Sequence, residues 1–371
     1  MRAAAAVTTL AAVNAHAAMT AVQPASTGAP LLMTQLLDVS ANQQALSRDY
    51  ATGFRLAFAE LRRTSGLSVQ LRTVELDGSP AALREAIETV KNDPGQLALI
   101  GAVGESMALA SFAQARQSGL DIAHVAPWLA DSRFDHDTQL CALFASREDQ
   151  IRYVLKDLAS MGVAELGVLY PSRRHAAALL SGTNAVVDRL RIKASTLIVP
   201  DGQSLETYAA QLPASAPFFI LFMGGDVELA LFTRGMSGRG LKRYVVCLAD
   251  VDTGTFLQLD PGKAVPVVFT QVVPNPNSSR VPVVRAYRAA LQQLFDEAPS
   301  PISLAGYLGG RYAAAVLAGV GPNPSRSRVL AAFQRRPSLD LDGWRFEFSA
   351  GGRASRFVSQ TLLNTRGSLV E

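Results

Sequence analysis

An α/β fold of two lobes, each a parallel sheet covered by helices on both faces, is predicted by three observations. Short apolar strands alternate with helical patterns along most of the chain, the signature of parallel strands joined by crossover helices. The alternation lapses between Asp131 and Ser146 and then starts afresh. The chain has 371 residues, too many for one typical domain and enough for two separate cores.

The first series opens with LLMTQLLDV (31–39), a buried strand, followed by a helix from about Arg48 to Arg63 with Tyr50, Phe54, Ala57, Phe58 and Leu61 on one face. SVQLRTVEL (68–76) is the second strand. Asp77-Gly78-Ser79-Pro80 ends it and opens a helix through about Lys91, with Ser79 as N-cap and Pro80 in the first position. Asn92-Asp93-Pro94-Gly95 stops that helix, and strand 97–103, helix 106–118 and strand 121–126 follow. In open parallel sheets ligands sit outside the carboxyl ends of strands, where turns and helix N-termini offer free N–H groups. The turns at Gly104 and Pro127 are therefore the first candidates for a site.

DSRFDHD then leads into an extended segment, LCALFAS. The second series comprises helix 147–161, strand 166–170, helix 176–192, strand 195–199, helix 203–212, strand 218–224, helix 226–237 and strand 243–249. VPVVFTQVV (265–273) is extended, and helices 281–294, 302–320 and 328–335 follow. The end, WRFEFSAGG then ASRFVSQTLLN, reads as a hairpin turning at Gly351-Gly352. Extended segments near 141–146 and 267–274 act as hinge strands, and such a body closes on a ligand between its lobes. The expected division is 1–30 as leader and flexible N-terminus, 31–143 plus 271–335 as the first lobe, and 144–270 plus 336–371 as the second.

Hydrophobic residues make up 49% and charged residues 18%, a globular composition. The formal charge of +4 is spread along the chain without a basic stripe, so nucleic acid is not an expected partner. Arg2, the apolar run AAAAVTTLAAV and Ala15-His16-Ala17-Ala18 read as a secretory leader cleaved after Ala17. No later stretch reaches the roughly 18 apolar residues of a membrane span, and no cysteine near the start offers a lipid anchor. A periplasmic product is expected, beginning with a flexible segment from Gln23 to Pro30. Cys141 and Cys247 sit among apolar neighbours and are expected as buried free thiols. The four histidines, His16, His124, His136 and His175, lack zinc spacing, so no metal or other cofactor is expected. Gly101 and Gly104 make no dinucleotide fingerprint, and neither a P-loop nor a nucleophile elbow occurs; the chain does not read as an enzyme.

LLDVSANQQALSRDYATGFRLAFAEL, LIGAVGESMALASFAQARQSGLDIAHVAP, VFTQVVPNPNSSRVPVVRAYRAAL, SLAGYLGGRYAAAVL and DLDGWRFEFSAGGRASRF stand in one order between about Thr34 and Leu369. Together they make the chain resemble the type I periplasmic solute-binding proteins, in particular the leucine/isoleucine/valine-binding family of branched-chain amino acid ABC transporters. The resemblance implies two Rossmann-like lobes joined by hinge strands, with an amino acid in the cleft. It also implies that backbone N–H groups and hydroxyls of first-lobe loops hold the ligand's carboxylate and an acidic second-lobe residue its ammonium, since a buried zwitterion needs both charges satisfied.

Carried over residue by residue, the resemblance implies a site from Ser40, Leu46, Glu105, Ser106, Trp128, Leu129, His175, Gly225, Asp250 and Asp252. Four positions depart from the family pattern. The loop after LALIGAV keeps one hydroxyl, Ser106, and adds Glu105, whose charge repels a ligand carboxylate unless it points outward. Trp128 stands near the place of a family threonine, His175 replaces an aromatic, and Gly224-Gly225-Asp226 lacks another. Trp128, with Leu46, Leu129 and Met107, favours an apolar or aromatic ligand. Each residue also has a plainer role: Ser106 as an N-cap, Glu105 as a solvated loop charge, Trp128 as a cap on the lobe core, Asp250 as an N-cap or surface group. Arg173 and Arg174 read as solvated, and His124, inside a strand, as structural.

The expected function is thus the extracytoplasmic solute-binding component of an ABC transporter, taking an amino acid or related small metabolite, aromatic ones included. It would present this solute as a monomer to a permease in the inner membrane. The alternative is a ligand sensor of the same fold acting on a protein partner.

Overall fold

The computed structural model describes residues 30–370, apart from 42, 66–67, 191, 238–242, 263, 296, 349–351 and 365–368. The expected leader and, but for Pro30, the segment after it lie outside the described residues. The first series forms β1 (Leu31–Asp38), α1 (Gln44–Ser65), β2 (Val69–Leu76), α2 (Pro80–Asn92), β3 (Gln96–Ile100), α3 (Glu105–Gln117), β4 (Ala123–Val125) and β5 (Leu140–Cys141). Its five strands are parallel in the order β2-β1-β3-β4-β5.

The second series is α4 (Arg147–Ser160), β6 (Glu165–Tyr170), α5 (Arg173–Leu190), β7 (Lys193–Ile198), α6 (Leu205–Ala210), β8 (Phe219–Phe222), α7 (Asp226–Ser237), β9 (Tyr244–Cys247), α8 (Thr253–Gln258) and β10 (Val267–Gln271). Then come α9 (Pro282–Leu294), α10 (Pro301–Ala318), α11 (Arg326–Gln334), β11 (Leu339–Leu341), β12 (Trp344–Phe346), β13 (Ser359–Leu363) and β14 (Leu369–Val370). The second sheet runs β14-β13-β10-β9-β8-β6-β7, parallel from β10 to β7. Strands one to five of each series therefore share the order 2-1-3-4-5. In such sheets the ligand crevice lies where the strand order reverses, here beyond the carboxyl ends of β1 and β3 and of β6 and β8.

Alternating residues feed opposite faces. In β9, Val245 and Cys247 enter one core and Val246 the other; in β1, Met33 and Leu37 face α1 and α10 while Leu36 faces α2 and α3. Both cysteines are buried and free. The α1–α10 contact is backbone to backbone: a Cβ on Gly53 would strike the Ser303 carbonyl, and one on Gly306 the Tyr50 carbonyl. Glycine is required there for close approach. Ser79 caps α2 as expected, accepting from the Ala82 N–H.

The C-terminal segment differs from its reading. The hairpin is β11–β12, turning at Asp342-Gly343, with φ of 50° and 86°. Both values are positive, as a two-residue type I′ turn demands and an Asp-Gly pair supplies. The expected turn at Gly351-Gly352 falls partly outside the described residues; the Glu347 N–H donates to the Ala354 carbonyl at 2.8 Å across it, and β13 pairs antiparallel with β10. Leu341, Trp344 and Phe346 pack into the core that includes α1 and α10, whereas β13 and β14 belong to the second sheet.

The chain passes from the first sheet to α4 through 142–146, from β10 to α9 through 272–281 and from β12 to β13 through 347–358. The Ala354 N–H donates to the Ala142 carbonyl at 3.3 Å, tying the third to the first. Gln150, at the start of α4, accepts from the Ala249 N–H and the Thr270 hydroxyl, both at 2.8 Å, and so fixes α4 to the ends of β9 and β10.

Candidate ligand-binding crevice

Arg147 meets groups beyond the carboxyl ends of both sheets. Ser146 caps α4 in a reciprocal box with Asp149, which places Arg147 in the first helical position. A cation there opposes the helix dipole, so it needs other partners. It has them on both sides: Glu105, beyond β3 in the first lobe, accepts a short hydrogen bond, and Asp250, beyond β9 in the second, lies 3.5 Å away. The Arg147 N–H also donates to the Ala130 carbonyl at 2.9 Å.

Glu105 is the first residue of α3. Gly104 precedes it at φ 91°, a left-handed value that glycine permits; a Cβ there would also press on the Asp38 side chain. The helix has no side-chain cap, and Ser106 is exposed in its first turn, not at the N-cap. The Glu105 carboxylate thus sits at a helix N-terminus and on a guanidinium, two features that each favour an anion. Burial nevertheless raises its pKa, with Asp250 adding to the rise and Arg147 opposing it. Burial works against the Arg147 charge, but Asp250 and Glu105 outweigh it and hold the guanidinium above its ordinary value.

Further acids surround this bridge. Asp131 pairs with Arg133 at 2.7 Å, and despite burial those bonds keep its carboxyl below the usual range. Asp226 accepts from the Asp252 N–H at 2.7 Å, yet burial, with Asp252 and Asp250 beside it, pushes its pKa up to about 7. Asp252 caps α8 through the Thr255 N–H, and α8 itself has no counterpart among the sequence expectations. Burial raises Asp49, on α1, with Asp252 contributing across the crevice.

The other implied residues fall in three places. Ser40 follows β1, its N–H on Asp38 at 2.9 Å. His175 and Gly225 lie together beyond β6 and β8: His175 meets the Ser172 hydroxyl at 2.9 Å and Glu228 at 3.6 Å, and the Gly225 N–H donates to Glu228 at 2.8 Å. Leu46 and Leu129 are buried, in the two cores of the first lobe. Trp128 is enclosed as well, 5.5 Å from Tyr50 and 5.9 Å from Phe144 between ring centroids, so it forms no open ledge. It does line a cavity of about 10 Å³ at the hinge with Asp252, Thr253 and Gln271, room for a single water-sized group. Gln271 is 8% exposed and its Oε1 accepts no hydrogen bond among the described residues. His124 is buried edge-on against Phe112, with its pKa lowered by burial to about 3, a neutral core residue.

Sequence reasoning missed Arg147, Asp226, Gln271 and Arg353. Arg353 holds the loop that carries Trp128: it pairs with Asp135 at 2.8 Å and donates to the Leu129, Phe144, Ala130 and Asp131 carbonyls. The available signal for Arg147 was its position, a cation directly after a helix cap; Arg353 was hidden in a glycine-rich stretch read as a turn. Among the described residues no group of histidine, cysteine and carboxylate side chains could hold a metal ion.

Residues 34–360 match a family model described as periplasmic binding protein. Among solved structures, a substrate-binding periplasmic protein from Ralstonia solanacearum superposes with a TM-score of 0.79 at 20% identity, covering 92% of this chain and 99% of that one. A leucine binding protein from Thermotoga maritima gives 0.77 at 15% identity, over 92% and 97%. A fatty acid ABC transporter substrate-binding protein from Thermomonospora curvata gives 0.75 at 14%, over 92% and 91%. At these identities the likeness is one of fold. Comparison with curated protein sequences returns no match.

Proposed function

The chain belongs to the periplasmic binding protein family, and from that premise we propose that it is the extracytoplasmic receptor of an ABC transporter. It would capture a small solute of the amino-acid-related kind between its lobes and deliver it to a membrane permease. The observation that carries the reading is the pair of doubly wound sheets with matching strand order, bridged beyond their carboxyl ends by Glu105, Arg147 and Asp250. In this reading Ser40, His175, Gly225, Asp250 and Asp252 would lie at the rim of the crevice, with the small cavity lined by Trp128, Asp252 and Gln271 at its hinge end. Closure would follow from contacts made to both lobes at once, because a ligand shifts the open–closed balance only by its differential affinity.

Export with removal of the leader is part of this proposal. Among the described residues no helix is long and apolar enough to cross a membrane. Native mass spectrometry of protein purified from its own cells tests the reading: a non-covalent small molecule released on mild activation is the expected result. A bare mass, together with no thermal shift across a broad panel of amino acids, amines, amides and aromatic acids, would count against it.

A further inference from the structure

The crevice offers one place built for an anion, and the chain fills it itself. The place combines the N-terminus of α3 with the guanidinium of Arg147, whose side chain is 9% exposed and so cannot turn away to water. Such a pairing of helix dipole and fork-like donor is what a ligand carboxylate would seek. Glu105 occupies it, and Asp250 covers Arg147 from the opposite lobe.

We infer that Glu105 is a built-in counter-anion that sets ligand charge, so that the crevice takes neutral or cationic hydrogen-bond donors and turns away solutes with a free carboxylate. The inference rests on the receptor reading above and narrows its solute class. Three observations support it. An incoming carboxylate would meet Glu105, Asp131, Asp250 and Asp252, with Arg147 already engaged by two of them. Two of the unsatisfied polar atoms among the described residues belong to this region, and both are acceptors: Glu105 Oε1 beside Arg147 and Gln271 Oε1 at the hinge cavity, the latter on a side chain more than nine-tenths buried. Buried acceptors without a donor are costly, and an ammonium or amide N–H would complete them. Finally, Asp252 and Trp128 line the same small cavity, an acidic and an aromatic residue of the kind that favours a cationic group.

The test uses matched head groups on one side chain: leucine, leucinamide and 3-methylbutylamine, then phenylalanine, phenylalaninamide and phenethylamine. Binding is measured by calorimetry and thermal shift on the full mature chain and on Glu105→Gln, with Glu105→Ser as a second variant should the first fold poorly. The wild type is expected to bind an amide or amine at least about tenfold more tightly than the matching acid, the scale of one discriminating polar contact. Both variants remove one of the two acids on Arg147, leaving Asp250, and should narrow that ratio about tenfold by gaining affinity for the acid. Wild-type binding of an amino acid as tightly as its amide overturns the inference and leaves the receptor reading intact. Variants that discriminate as the wild type does overturn it too, since Glu105 would then not be the cause. A wild type that answers to no member of the series also overturns it, and the native mass spectrum then decides the receptor reading separately.

Discussion

Two buried arginines, Arg147 and Arg353, both meet carboxylates near the junction of the lobes, and the difference between them separates what holds the protein together from what is free to exchange. Arg353 is 2% exposed at its side chain, its Asp135 partner is nearly as buried, and four backbone carbonyls take its remaining N–H groups. Every donor is spoken for, by Asp135, by the loop 129–131 and by Phe144 in the segment after β5. Arg147 is nearly as buried, but Glu105 and Asp250 are 32% and 37% exposed and belong to opposite lobes. Those acids already reach solvent, whereas Asp135, 11% exposed at its side chain, scarcely does. Burial of the cation alone does not decide its role. The solvent access of its partners does.

Arg353→Met is the strongest way to break this contrast. It leaves the Asp135 carboxylate and several carbonyls without donors, and a loss of about 3–5 kcal/mol is expected from urea unfolding, insensitive to salt. Arg147→Met should cost only about 1 kcal/mol, because its acids can turn to water, and that cost should shrink at high ionic strength. Equal losses at the two sites, or a salt-sensitive Arg353, would remove the distinction. The smallest effect concerns the acid surplus on the crevice side. The folded pKa of Asp226, about 7, lies above the unfolded value, so the stability this group contributes is full below about pH 4 and is lost as pH rises through 7. Asp226→Asn, which still accepts from the Asp252 N–H, should therefore raise the melting temperature by about 2–4 °C near pH 8 and by nothing near pH 4. A flat pH response in the difference between the two proteins would show that Asp226 is not held above its ordinary pKa.

The β/α order was legible because parallel strands buried on both faces leave continuous apolar runs, such as LALIGAV and FFILFMG, that stand out against amphipathic helices. The β11–β12 hairpin went unread because the two glycines in SAGG drew attention to 351–352, although Asp342-Gly343 carries the stronger hairpin signal. Of the implied site, Glu105 and Asp250 do come together, while Leu46 and Leu129 enter the cores. Their partner Arg147 escaped notice because linear spacing carries no record of which strand ends face each other across a crevice. The same limit hid the meeting of Gly53 with Gly306, whose need for small residues appears only once α1 lies on α10.

That helix contact also dictates a schedule. The Ser300 hydroxyl bonds Asp49 across 251 positions of chain, and beside it α1 lies directly on α10. Closing so long a loop carries an entropic toll that local pairings do not, and it makes the first lobe slow to assemble. The second sheet draws five adjacent strands from the uninterrupted stretch 165–271, lacking only β13 and β14 at one edge. On emergence from whatever channel delivers it, the chain can therefore organise its later half while its opening helix still waits for the segment it must clasp.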